Sequence, residues 1–123
     1  MNAFAKEPET ESQLQASVVG WLRLQESLDR LTFFAIANGE KRRPRTGKKL
    51  QTQGVRAGVP DLCVVMKGRT HFIELKTEKG RLSDAQVEMH VKIMTHGASV
   101  LVARSLGAVI TYVDEQLGRK EAA

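Results

Sequence analysis

Two short polar patterns mark where helices begin in this chain. Residues 10–13 (TESQ) and 83–86 (SDAQ) each place a glutamine three positions after a hydroxyl residue, as in a capping box. The first pattern predicts a helix to about Arg30, the second a helix that Gly97 can end, and Ser105 can cap a third. The apolar positions of the three helices are Leu14, Val18, Trp21, Leu22 and Leu28; Val87, Val91, Ile93 and Met94; and Leu106, Val109, Ile110, Val113 and Leu117.

Four short runs between these helices have the composition of β-strands. They cover residues 32–37, 61–67, 70–77 and 99–103, and Gly68 allows a tight turn between the second and the third. The resulting order, αβββαβα, predicts an α/β fold. At 123 residues we expect one domain over residues 10–118, with tails at 1–9 and 119–123.

Several classes of protein are excluded by composition. The single cysteine, Cys63, cannot form an internal disulfide and lies in an apolar strand, and no paired zinc ligands are present. No apolar run is long enough to span a membrane, and the first residues lack the apolar stretch of a signal peptide. The glycine-rich loop that binds nucleotide phosphates is also missing, so we expect no nucleotide cofactor. We expect a soluble, cytoplasmic protein.

Positive charge is concentrated in one segment. The chain has a net charge of +5, and residues 41–58 contain seven basic residues and no acidic one. A loop over residues 39–57 with this charge predicts contact with a polyanion such as DNA, although a solvated basic loop has the same composition. The predicted phosphate-binding residues are Lys41, Arg42, Arg43, Arg45, Lys48, Lys49 and Arg56.

The pattern most indicative of chemistry is Asp61 followed by Glu74-Leu75-Lys76. A hairpin at Gly68 would bring Asp61 beside Glu74 and Lys76, which lie on one face of the next strand. Two carboxylates and the Leu75 carbonyl would form an oxygen-rich site suited to Mg²⁺ or Mn²⁺. Lys76 could then hold a water and offset charge on a phosphate. A surface ion pair on an exposed strand is the alternative explanation of the same residues.

At these residues the sequence resembles the VRR-NUC (virus-type replication-repair nuclease) family of the PD-(D/E)XK nuclease superfamily. The resemblance covers about residues 10–117 and rests on the asparagine-glycine after the first strand, residues 58–61 (GVPD), Glu74-x-Lys76 and residues 82–86 (LSDAQ). It implies a restriction-endonuclease-like core, a mixed four-stranded sheet flanked by helices. Asp61, Glu74 and Lys76 take the places of the catalytic triad, and Glu11 and Gln86 those of accessory active-site residues. In capping positions, Glu11 and Gln86 are equally typical of ordinary helix starts.

The resemblance also implies a substrate class. Small stand-alone members of the family are similar to phage-type enzymes that resolve Holliday junctions during DNA recombination and repair. We therefore expect a Mg²⁺- or Mn²⁺-dependent endonuclease that binds branched DNA as a homodimer, in a bacterium or a phage-infected cell. Two alternatives stay open: a nuclease for flaps, nicks or mismatches, and a basic DNA-binding module without catalysis. The three histidines, His71, His90 and His96, have no spacing typical of metal ligands.

Overall fold

Both capping boxes are present in the computed structural model, which describes residues 9–37 and 51–119. The hydroxyl of Thr10 accepts from the backbone amide of Gln13 at 3.1 Å, and that of Ser83 accepts from Gln86 at 3.1 Å. Each cap satisfies amides that have no partner within their own helix. The helices are α1 (Glu11–Ser27), α2 (Asp84–Thr95) and α3 (Leu106–Gly118).

The strands form one mixed sheet of the predicted α/β type. They are β1 (Thr32–Ala35), β2 (Leu62–Met66), β3 (Arg69–Leu75) and β4 (Ser99–Ala103), and they lie in the order β1-β2-β3-β4. The first three are antiparallel neighbours, and β4 pairs parallel to β3. A parallel neighbour requires a crossover connection, which α2 provides.

The β2–β3 hairpin forms at the turn predicted from Gly68. Lys67 and Gly68 both have positive φ angles, 51° and 72°, as a two-residue hairpin turn requires. The hairpin register pairs Leu62 with Ile73. Asp61 precedes Leu62 and Glu74 follows Ile73, so this register brings the two carboxylates to the same end of the hairpin.

The apolar core lies between the sheet, α1 and α3. The helical spacing identifies most of its helix contributions, because Leu14, Val18, Leu22, Val109 and Val113 are all buried. The prediction is wrong for Leu28, which is 60% exposed because it follows the end of α1. Helix α1 ends at Ser27, earlier than the predicted Arg30, and Asp29 has a left-handed φ of 58° that a continuing helix could not adopt. The sheet residues of the core are Leu62, Val64, Met66, Ile73, Leu75 and Ala103.

Helix α2 buries a different face from the one that its apolar residues predict. The side chains of Val87, Val91 and Met94 are 47%, 56% and 50% exposed, so they are not core residues. The helix instead buries Gln86, Met89 and His90. Two of these three residues are polar, which an apolar pattern could not identify.

Within the described part of the chain, no helix is both long enough and apolar enough to cross a membrane.

Candidate active site

Asp61 is held in place by hydrogen bonds from two directions. Its Oδ2 accepts from the backbone amide of Leu75 at 2.7 Å, and its carbonyl oxygen accepts from the amide of Ile36 at 2.9 Å. The residue is only 8% exposed. The carboxylate is therefore tied to the end of β3, next to Glu74.

Glu74 is a fully buried acid with one free oxygen. Its Oε1 is hydrogen bonded to Nε2 of His90 at 3.0 Å, while Oε2 is buried and, among the described residues, has no hydrogen-bond partner. Burial and the neighbouring carboxyl of Asp61 raise the pKa of Glu74 to about 9. Two adjacent buried carboxyls cannot both ionise readily without a cation.

Lys76 supplies the positive charge nearest to Glu74 along the chain. It directly follows β3, its backbone amide donates to the carbonyl of Ala103 at 3.0 Å, and its side chain is half-buried. The charge of Lys76 opposes the increase in the pKa of Glu74 but is outweighed by burial and Asp61. The ammonium group thus lies within electrostatic range of Glu74 without cancelling the effect of burial and Asp61.

The two accessory residues take up different positions. Glu11 is the first residue of α1, and its negative charge also raises the pKa of Glu74. Gln86 is buried, but its Oε1 accepts from the backbone amide of Ser83 at 2.9 Å, so this oxygen serves the helix cap. A cleft of about 570 Å³ begins at Glu11; its other lining residues are Glu9, Thr10, Leu14, Thr77, Glu78, Lys79 and Arg104.

Glycine at position 58 allows the loop before Asp61 to pack closely against α2. It is buried, has a φ of +81°, and packs directly on the first turn of α2. A Cβ at this position would overlap the carbonyl oxygen of Ala85 and lie 3.0 Å from the amide nitrogen of Gln86. The close approach of these two backbones places Asp61 near α2.

We expect Gly58→Ala to lower the free energy of unfolding by about 2–4 kcal/mol, because it combines a backbone clash with an unfavourable φ. The matched control is Gly54→Ala. Gly54 has a φ of +93°, but in the described part of the chain no atom outside its two neighbours lies within 4 Å of the position that a Cβ would take, so we expect only the φ penalty of about 1–2 kcal/mol. Urea unfolding of the two variants measures the difference. Equal losses would show that the contact with α2 is not restrictive.

His90 is the site residue that the sequence analysis did not identify. It is 5% exposed and lies one helical turn after Gln86, so the two residues project from the same side of α2. The four-residue spacing from Gln86 was the available signal. This spacing points to His90 only if Gln86 is already known to lie at the active site.

The predicted DNA-binding residues lie mostly outside the described residues. This applies to the basic positions between 41 and 49 and to the larger part of the predicted loop 39–57. Arg56 is described and exposed, and it lines a groove with Lys92 between residues 51–57 and α2.

The donor set of the site fits a hard divalent cation. Asp61 and Glu74 provide adjacent carboxyl groups, and among the described residues no donor reaches the buried Oε2 of Glu74. Within residues 9–37 and 51–119, no group of three or more histidine, cysteine, aspartate and glutamate side chains is arranged to hold a metal ion. A cation here would therefore need backbone, water or substrate oxygens as further ligands, as Mg²⁺ commonly does.

Comparison with known proteins gives one family. The sequence profile of the VRR-NUC domain matches residues 2–106. A solved structure titled "VRR_NUC domain protein" is 24% identical, with a TM-score of 0.68 and coverage of 91% of this chain and 93% of that chain. Another, titled "VRR_NUC domain", is 20% identical, with a TM-score of 0.56 and coverage of 90% and 97%. These two likenesses show a shared fold. None of the curated proteins matches.

Proposed function

Because this chain belongs to the VRR-NUC domain family and has its nuclease-type fold, we propose that it is a metal-dependent endonuclease that hydrolyses phosphodiester bonds in branched DNA. The observation that carries the proposal is the buried pair of carboxyls at Asp61 and Glu74, with the charge of Lys76 in range. A raised pKa of about 9 means that the ionised form of Glu74 is costly in this buried position. A divalent cation would remove this cost and use both acids as ligands.

In this proposal Asp61, Glu74 and the carbonyl of Leu75 hold Mg²⁺ or Mn²⁺. When bound, the cation stabilises negative charge on the scissile phosphate as a Lewis acid. Lys76 orients the attacking water and stabilises charge that develops on the phosphate oxygens. The hydrogen bond from the Leu75 amide would keep the Asp61 carboxylate in one orientation during the reaction.

Glu11 and Gln86 would support this arrangement from two helix starts. Backbone amides at the beginning of a helix favour anions, so α1 and α2 contribute positive potential near a bound phosphate. Arg56 and the basic residues of 41–49 would bind further phosphates without reading base sequence.

Among branched substrates we propose the Holliday junction, with flaps, nicks or mismatches as the second candidate. A four-way junction requires two symmetric cuts, which a two-fold dimer supplies. The exposed side of α2 offers a surface for a second copy. In an antiparallel pair of α2 helices, Val87 would face the partner's Met94.

Charge on the same helix supports this pairing. Glu88 and Lys92 form an ion pair at 3.6 Å beside the exposed aliphatic residues. In the antiparallel pair, Glu88 would lie opposite the partner's Lys92 and Lys92 opposite the partner's Glu88. The charges on this surface are therefore self-complementary.

We expect Val91→Glu to convert the dimer to a monomer, because it places one negative charge from each copy at the centre of the pair. Leu28→Glu is the matched control, since Leu28 is 60% exposed against 56% for Val91 but lies after α1. Light scattering of the purified proteins measures the mass. A monomeric wild type, or dissociation by the control variant alone, would contradict this interface.

The test of the function is cleavage of a synthetic four-way junction, with matched flap and duplex substrates, with and without Mn²⁺. The proposal predicts Mn²⁺-dependent cleavage of the junction at symmetric positions. Faster cleavage of the flap would favour the second candidate. Salt-sensitive junction binding without any product would instead identify a DNA-binding module without catalysis.

A further inference from the structure

We propose that His90 is a positioning residue that fixes the orientation of Glu74 and thereby sets the affinity of the site for a divalent cation. This inference rests on the metal site of the proposed function and adds a residue to it. His90 does not bind the cation in this account. It acts through the Glu74 carboxylate.

The contact that supports this role is direct and buried. Nε2 of His90 lies 3.0 Å from Oε1 of Glu74, and the two side chains are 6% and 1% exposed. A hydrogen bond to one carboxylate oxygen restricts rotation of the carboxylate group. Of the two oxygens of Glu74, only Oε2 is left unpartnered among the described residues, so one oxygen is anchored and the other is available to a ligand.

The position of His90 on α2 links this contact to the rest of the site. The same side of the helix carries Gln86, and the first turn of the helix packs on Gly58 in the loop that leads to Asp61. The helix therefore holds His90 in fixed register with both of the carboxylates proposed as metal ligands. Hydrogen-bond partners of metal ligands commonly change metal affinity by about 10–100-fold when they are removed.

The chain contains a matched control in His71. This histidine is 3% exposed and its Nδ1 is hydrogen bonded to the hydroxyl of Tyr112 at 2.6 Å. His71 lies on β3, three residues before Glu74, so its side chain projects from the opposite face of the sheet. Removing it should destabilise the fold without affecting the metal site.

The test compares three substitutions at His90. The amide of glutamine can reach the place of Nε2, so His90→Gln should bind Mn²⁺ within about threefold of the wild type. His90→Met removes the donor at similar volume, and His90→Asn carries an amide that is too short to reach Glu74. Both should bind Mn²⁺ about 10–100-fold more weakly. Calorimetric titration with Mn²⁺ measures the affinities, and thermal unfolding in EDTA identifies variants that do not fold.

His71→Met should lower the unfolding temperature in EDTA and leave the Mn²⁺ affinity unchanged. The positioning role is wrong if folded His90→Met or His90→Asn binds Mn²⁺ as tightly as the wild type. It is also wrong if His90→Gln binds Mn²⁺ as weakly as those two variants. Either result leaves the nuclease proposal intact. If the wild type itself binds no Mn²⁺, the proposed metal site fails, and the role of His90 fails with it.

Discussion

Lys76→Ala should lower the rate of phosphodiester cleavage by about 10²–10⁴-fold, the range typical for loss of a group that stabilises charge or assists proton transfer. DNA affinity should fall by no more than about tenfold, because a single lysine–phosphate contact is lost among several. Lys76 is half-buried next to Glu74, whereas the predicted DNA-binding residues lie in residues 41–56. Single-turnover cleavage of a junction in Mn²⁺ and fluorescence anisotropy in EDTA separate the two effects.

Lys67→Asn is the control for loss of positive charge. Lys67 is exposed in the β2–β3 turn, at the end of the hairpin away from Asp61 and Glu74, and asparagine tolerates its φ of 51°. Its cleavage rate should remain close to that of the wild type. If Lys76→Ala cleaves the junction as fast as this control, Lys76 has no catalytic role.

The stability of the metal-free protein should decrease as the pH rises from 7 to 8.5, and Mn²⁺ should reverse the decrease. The folded protein keeps Glu74 protonated because its pKa is raised from 4.5 to about 9, whereas the unfolded chain has already lost this proton at pH 7. Folding therefore takes up a proton in this range. The free energy of unfolding should fall by up to about 1.4 kcal/mol per pH unit.

Other shifted groups contribute little in this pH window. Burial lowers the pKa values of His71 and His90 below 6.5, so both imidazoles are neutral in the folded protein above pH 7, and they are mostly neutral in the unfolded chain as well. Burial raises the pKa of the Cys63 thiol above 9.0, so its effect begins at higher pH. The slope between pH 7 and 8.5 therefore reports mainly on Glu74.

Glu74→Gln provides the matched variant, since glutamine has nearly the same shape but no titratable proton. Urea unfolding in EDTA at several pH values should show a smaller slope for this variant than for the wild type. Mn²⁺ should stabilise the wild type increasingly as the pH rises, because binding displaces the proton. The role given to Glu74 would be contradicted if the free energy of unfolding fell with pH equally steeply in both proteins. It would also be contradicted if Mn²⁺ stabilised both proteins to the same extent.

Much of the fold could be predicted because its determinants are local in sequence. The capping boxes at Thr10 and Ser83 locate two helix starts, and Gly68 locates the hairpin turn. The hairpin in turn fixes the strand register that brings Asp61 and Glu74 to one end of the sheet. These features need only short-range hydrogen bonds and the alternation of side chains along a strand.

The orientation of α2 could not be predicted in this way, because it depends on what the helix packs against. Its aliphatic residues, including Val87 and Val91, indicate a buried face, yet the helix buries Gln86 and His90 beside the carboxyls. The contact between His90 and Glu74 spans 16 residues and has no local signature. The need for glycine at position 58 is likewise visible only once the two backbones are seen to meet.

The most direct test of the metal site is a crystal structure grown with Mn²⁺, with anomalous diffraction used to locate the ion. We predict a peak bonded to carboxylate oxygens of both Asp61 and Glu74, at the distances of about 2.0–2.6 Å that hard cations make with oxygen. An anomalous peak elsewhere, or none beside these two residues at saturating Mn²⁺, would contradict the proposal that they form a metal-dependent active site.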